Sequence, residues 1–202
     1  MIAELVFRIA LILELLVGMG LLLSLFYPKY RIWPPPKKNS WQSKYIQFLF
    51  RSSFFSFFIV GFLDLDSFIL RNWVSLIFGL ILIIIGVIFY LWARQTCRKI
   101  YSEMQLEAVL KILETKKAIS LFELEGKLVT GGPYRYSRNP QYLANILFFF
   151  GSIFFFNSSY QFVIGVLGII FFLLAVFVEE PWLKSRYKEE YEAYCKKVPR
   201  FI

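Results

Sequence analysis

The chain alternates between long apolar runs and short charged ones. Residues 2–27 are nearly all apolar and long enough to cross the ~30 Å hydrocarbon core of a bilayer. Residues 28–44 form a basic linker in which Pro34, Pro35 and Pro36 stop any helix and favour an extended path. Residues 45–63 predict a second span with Arg51 near its start. A short loop at 64–71 carries Asp64 and Asp66, and residues 73–92 predict a third span with a tryptophan at each end, as membrane interfaces prefer. Residues 102–117 have helical periodicity, with Met104, Ala108, Val109, Leu110 and Leu113 on one side and Glu103, Glu107, Lys111 and Glu114 on the other. That pattern predicts an amphipathic helix lying on the membrane surface or against the spans.

Residues 142–156 and 160–178 predict spans four and five. Only Asn157, Ser158 and Ser159 separate them, so they should form an antiparallel hairpin. Span four is short and is expected to begin within the headgroup layer. Span five should stop at Glu179, Glu180 and Pro181. The tail, 182–202, places Leu183, Tyr187, Tyr191 and Tyr194 at helical spacing and predicts a second surface helix. The fold class expected is therefore an all-α integral membrane protein with about five transmembrane helices, a C-terminal helical hairpin and cytoplasmic amphipathic helices.

Composition narrows the chemistry. The hydrophobic fraction is 58%, above the range of soluble domains, which supports the membrane reading. A net charge of +9 raises the question of nucleic acid, but the basic residues lie between oily runs and not on a soluble module. Counted by loop, 28–44 carries five, 64–72 one, 94–140 nine, 157–159 none, and the chain after 180 six. This alternation predicts the N-terminus outside and the long loop and tail in the cytoplasm, with no nucleic-acid partner. The first span is too long for a signal-peptide core, and Glu4, Arg8 and Glu14 are the wrong flanks for one. Glu14 at mid-span either faces a partner or cavity, or is a neutral acid bonded to a neighbouring helix. With no histidine, a His-based metal site, a Ser-His-Asp triad and a His base are excluded, and no metal site is expected. Cys97 and Cys195 fall near basic segments assigned to the cytoplasm and are expected to be free thiols.

The polar stretch 131–142, G-G-P-Y-R-Y-S-R-N-P-Q-Y, is the candidate site. Gly131 and Gly132 allow tight turns. Asn139 is a good helix N-cap with Pro140 at the first helical position, and the amides there suit an anionic group. Arg138 offers a bidentate donor, and Tyr134, Tyr136 and Tyr142 offer faces for an aromatic base or a sulfonium. Taken alone, these features equally describe an aromatic, basic belt at the membrane interface. Glu179 and Glu180 form a second constellation. Acids at a helix C-terminus oppose the macrodipole, so their placement has a cost. The hairpin should bring the two segments together on one side of the membrane.

The pattern G-P-Y-R-Y-S-R-N-P-Q-Y, a hairpin, and then E-E-P-W-L-K-S-R-Y-K-E-E-Y-E-A-Y-C-K-K-V-P-R-F resembles the isoprenylcysteine carboxyl methyltransferase family, most strongly over residues 126–202. The resemblance implies a membrane enzyme that uses S-adenosylmethionine. It implies cofactor binding by Leu128, Val129, Tyr134, Asn139, Pro140, Gln141, Tyr142 and Glu179, and catalytic roles for Arg138, Glu179 and Glu180. It also divides the chain into a three-span region, 1–93, and a cofactor-binding region, 94–202. The implied acceptor is lipophilic and arrives from the bilayer, as the carboxylate of a prenylated cysteine or a related lipid. Two positions depart from the family pattern: Asn139 stands where histidine is usual, and Ala175 where an arginine meets the substrate carboxylate. A carboxylate acceptor is already ionised at neutral pH. An amine acceptor, as in a phospholipid N-methyltransferase, needs deprotonation by Glu179, Glu180 or a tyrosine. The C-terminal pattern also suits an NADPH-dependent reductase resembling the steroid 5α-reductases, with Arg135, Arg138, Lys184 and Arg186 on the cofactor phosphates. The spans by themselves suit a non-enzymatic membrane scaffold.

Overall fold

The structure is a computed structural model that describes residues 2–27, 29, 31–33, 41–63, 73–115 and 128–202. The three linker prolines, the Asp64–Asp66 loop and the pair Lys116 and Lys117 lie outside the described residues, as do the two side-chain faces expected of 102–117. Five helices form, with no strand among the described residues: α1 (Ile2–Phe26), α2 (Trp41–Leu63), α3 (Trp73–Thr115), α4 (Pro140–Phe156) and α5 (Ser159–Lys197). A short 3-10 turn, Gly132–Arg135, precedes α4.

Helices α1 and α5, and the Trp73–Lys99 part of α3, are long and apolar enough to cross a membrane. The apolar parts of the other two, Gln47–Leu63 and Pro140–Phe156, are shorter. Seventeen residues of α4 rise only ~26 Å, somewhat less than a full hydrocarbon core. The protein is thus an all-helical integral membrane protein. Large apolar side chains such as Ile77, Ile84 and Ile88 on α3 are exposed to where lipid lies.

Two expected breaks are absent. No Gly or Pro occurs between Trp92 and Thr115, so the backbone of α3 runs without interruption from span three into the segment expected to be a separate surface helix. It thereby crosses residue 93. Helix α5 also continues through Pro181, although an internal proline removes one hydrogen bond. The actual break comes seven residues later, at Lys188, whose φ of 46° and ψ of −122° are not helical. This kink returns Tyr191 and Tyr194 toward the 131–139 segment. The hairpin expected between spans four and five is present and tight. Asn157 is left-handed at φ 47°, and Ser158 caps α5 by accepting from Gln161 N.

Packing uses two devices. Helix α3 lies along α4 through small residues: a Cβ on Gly79 would come 2.6 Å from Gly151 O, and one on Gly151 would come 2.8 Å from Gly79 O. Such close backbone approach is a common way for membrane helices to associate. Helix α2 instead meets α4 through rings. Phe57 lies 4.5 Å from Phe149, Phe54 lies 5.7 Å from Phe148 and Phe62 lies 5.4 Å from Phe156 between centroids. The side held close by glycines and the side held apart by phenylalanines leave a space between α2, α3 and α4.

The C-terminal residues fasten the start of α4 to α5. Arg138 N donates to Pro199 O at 3.0 Å, and Ser137 Oγ donates to Arg200 O at 3.1 Å. Arg200 donates to Glu180 Oε2 from both Nε and Nη2, at 3.0 and 2.6 Å. The Glu180 carboxylate in turn pushes the Arg200 guanidinium above its ordinary pKa.

Two stability tests follow from this packing. Gly79→Ala and Gly151→Ala each force helix backbones apart and should destabilise by about 1–3 kcal/mol. The readout is the midpoint of thermal unfolding in detergent, with lipid-facing Ile84→Leu unchanged as the control. Arg200→Ala leaves the mostly buried Glu180 without its main partner and should lower the same midpoint by several degrees, whereas Arg200→Lys should recover part of the loss. Equal midpoints for Arg200→Ala and the unaltered protein would show that the Arg200–Glu180 pair does not hold these segments together.

Candidate active site

The segment 131–142 is folded by its own sequence. Gly132 sits at φ +57°, a conformation that favours glycine, and a Cβ there would meet Thr96 Oγ1 at 2.5 Å. Gly131 has no such restriction. Pro133 is the second residue of the 3-10 turn and Pro140 the first of α4, where each missing N–H costs nothing. Asn139 occupies the N-cap position but makes no side-chain cap. It is buried, and its Nδ2 donates to Glu180 Oε1 at 3.1 Å and to Arg200 O at 3.3 Å. The asparagine expected to cap α4 therefore serves a carboxylate of the protein itself.

A cavity of about 740 Å³ lies beside this segment, within the usual range for small-molecule sites. It is lined by Leu128, Val129, Tyr134, Arg138, Asn139, Pro140, Gln141, Tyr142 and Glu179, all named from the sequence. Glu180 is the exception. It does not line the cavity, because Arg200, Asn139 and Arg138 hold its carboxylate on the far side of the helix start. Cys97 and Cys195 are free thiols. Glu14 of α1 is buried and lines the same cavity.

Two hydrogen-bonded groups shape the wall. In the first, Trp33 Nε1 donates to Tyr142 Oη at 2.9 Å, and Tyr142 Oη donates in turn to Glu179 Oε2. Trp33 is placed by Ser24 near the end of α1, whose Oγ accepts from both Ile32 N (2.9 Å) and Trp33 N (3.0 Å). In the second, Gln141 Nε2 donates to Tyr134 Oη at 3.1 Å, and Cys97 Sγ lies 3.0 Å from that same oxygen. Tyr194 Oη donates to Tyr134 O at 2.6 Å. Burial raises the Tyr134 phenol well above its ordinary pKa, and the hydrogen bond to Cys97 raises it further, so it remains neutral at physiological pH.

Two donors on the cavity residues are buried without a partner among the described residues: Arg138 Nε and Tyr191 Oη. Buried polar groups in native proteins are nearly always satisfied, so such orphans point to a ligand acceptor. Of the four basic residues a reductase would need, only Arg138 lines the cavity. Lys184 pairs with Glu192 at 2.9 Å, and Arg186 stacks over Trp182 and Tyr187. Ala175 is fully buried against Val17, Leu21, Leu49 and Phe171, which leaves no room there for a cation.

Trp33, Cys97, Ser137 and Arg200 were not among the expected site residues. Their importance depends on partners between 20 and 109 positions away in sequence, which no local motif reveals. The V-P-R-F-I ending was visible as a pattern but carried no sign of what it would bind.

Residues 74–190 match the family model described as phospholipid methyltransferase. Among curated proteins, a 60-residue stretch is 40% identical to phosphatidylethanolamine N-methyltransferase B of Dictyostelium discoideum, covering 29% of this chain and 30% of that protein. The match thus spans less than a third of that relative's length. No solved structure matches. These likenesses fall in the same broad class of membrane methyltransferases as the prenylcysteine enzymes, but on the phospholipid branch. With more than half of its residues inside the matched region, the chain belongs to the phospholipid methyltransferase family.

Proposed function

We propose that the protein transfers methyl groups from S-adenosylmethionine to the amine of an ethanolamine-type phospholipid headgroup, at a site facing the cytoplasm. The observation that carries this reading is a single cavity. It joins a half-buried carboxylate, Glu179, held by Tyr142, to the apolar walls of the spans. The sidedness follows from the basic loops on either side of the site segments.

The residues present suit such a cofactor. Arg138 Nε and Tyr191 Oη are unmet donors for a carboxylate. Glu179 offers an acceptor for hydroxyl or ammonium groups. Tyr134, Tyr187 and Tyr194 present aromatic surface to a base or a sulfonium. All of these lie in 94–202, which we read as the cofactor-binding region, with Trp33 added from the N-terminal part. Bound S-adenosylmethionine supplies an electrophilic methyl on a sulfonium and leaves as a neutral thioether, its positive charge passing to the methylated nitrogen.

The chain's own residues manage the proton. A headgroup amine is protonated at neutral pH and has no free lone pair. Tyr134 is held neutral and is a poor base, and Glu180 is saturated by Arg200 and Asn139. Glu179 is the acid beside Tyr142 on the cavity wall, and its Oε takes the ammonium proton. The Tyr142 hydroxyl and Trp33 keep that carboxylate in one orientation. The prenylcysteine acceptor is less well served, because the position for its carboxylate partner is the buried Ala175.

Four outcomes are expected. Purified protein in vesicles should transfer a radiolabelled methyl group from S-adenosylmethionine to phosphatidylethanolamine and not to a prenylcysteine. Label on the prenylcysteine alone would overturn the assignment. Glu179→Gln should lower kcat by about 100-fold or more, as expected when a general base is lost. Arg138→Lys should weaken S-adenosylmethionine binding by about 10-fold, the effect of one charged hydrogen bond, measured by calorimetry. NADPH should give no thermal stabilisation.

A further inference from the structure

The cavity has a second end. Besides the polar wall near Glu179, it is lined by Arg51, Phe54 and Phe55 of α2, by Gly86, Val87, Tyr90 and Leu91 of α3, and by Phe148 of α4. Helix α2 packs on α1 and α5, and α3 packs on α4, but α2 and α3 make no extended interface with each other. Phe55, Val87 and Leu91 are exposed on the edges of the gap between them, Phe55 by 67%. The cavity is therefore open sideways, toward hydrocarbon.

Arg51 stands in this opening. Its side chain is exposed, and among the described residues it has no hydrogen bond, ion pair or ring contact. An unpaired guanidinium in a membrane span is costly and usually marks a ligand path. Its depth can be read from its neighbours on α2. Tyr45 and Leu49 share a cluster with Tyr142, whereas Phe54 stacks on Phe148. Arg51 lies ~9 Å along the helix from Tyr45 and one turn before Phe54. It therefore sits slightly deeper than Tyr142, between the polar wall and the apolar one.

We propose that Arg51 binds the phosphate of a phospholipid admitted between α2 and α3, with the acyl chains along Phe54, Phe55 and Val87 and the headgroup amine directed toward Tyr142 and Glu179. This rests on the methyl-transfer reading for the identity of the amine. A guanidinium matches phosphate oxygens in a fixed, two-point geometry. In an ethanolamine headgroup two carbons separate the phosphate oxygen from nitrogen, so a phosphate held at Arg51 leaves the amine a short reach from the polar wall. The buried Ala175 gives no cation on α5, and Arg51 on α2 supplies the positive charge on the lipid side of the cavity.

The test measures lipid binding apart from turnover. Full-length protein in detergent is titrated with a fluorescent phosphatidylethanolamine, with a fluorescent long-chain alkylamine that lacks phosphate, and with S-adenosylmethionine. Arg51→Gln should weaken phosphatidylethanolamine binding by about 10-fold to 100-fold. The alkylamine and S-adenosylmethionine affinities and the melting temperature should stay unchanged, and Arg51→Lys should restore part of the lipid affinity. In vesicles, the same Arg51→Gln variant should raise KM for the phospholipid far more than it lowers kcat. Phospholipid affinity unchanged in Arg51→Gln, or an equal loss for the alkylamine, overturns the proposal. If the unaltered protein binds phospholipid through Arg51 but neither binds S-adenosylmethionine nor transfers methyl, the methyl-transfer reading fails and the phosphate site stands.

Discussion

The buried carboxylate of Glu180 is the constraint on which the site depends. A charge at that depth is tolerated only when it is paired and hydrogen-bonded. Its partners come from two separate parts of the chain: Arg200 from the C-terminus, and Arg138 and Asn139 from just before α4. Satisfying one side chain therefore draws the C-terminal residues, the 131–139 segment and the end of the long α5 span into one unit. The neighbouring acid, Glu179, is left on the cavity wall, where Tyr142 donates to it. Two adjacent glutamates are thus separated by environment, one committed to architecture and one available for chemistry.

The cavity depends on a second contrast, between small and large residues at the faces of α4. Gly79 and Gly151 let α3 approach to backbone contact, while the phenylalanines of α2 and α4 keep their helices a ring's width apart. The resulting space is apolar toward the bilayer and polar toward Tyr142 and Glu179. A phospholipid has the same division, with chains at one end and a charged headgroup at the other. Family membership and cavity shape therefore point the same way, although one comes from sequence comparison and the other from packing.

Much of this is legible in the chain itself. The oily runs specify the helical membrane class, and the three residues between spans four and five specify the hairpin, because so short a link leaves no other arrangement. The block 138–142 with Glu179 is also legible, since arginine, asparagine, tyrosine and glutamate are unusual beside long apolar runs. Helix ends are less so. Pro181 and the charged residues after Trp92 look like stops, but a proline within a well-packed helix is tolerated, and a run without glycine or proline has no reason to break. The C-terminal pattern resembles the prenylcysteine enzymes, whereas the family model that matches is the phospholipid methyltransferase one, an alternative the residues had left open.

By itself, the sequence determined which segments are helical, that they belong in a bilayer, and which polar residues stand against the hydrophobic pattern. These properties depend on neighbours a few positions apart, so they are written locally. Only the tertiary structure decided that Glu180 is a fastening and Glu179 a wall of the site, that Asn139 serves the protein's own carboxylate, and that Trp33, Cys97 and Arg51 face the same space. Those roles depend on which distant atoms become neighbours. Glycine contacts, ring stacking and the pairing of one buried charge set that proximity, and none of them has a signature within a single stretch of chain.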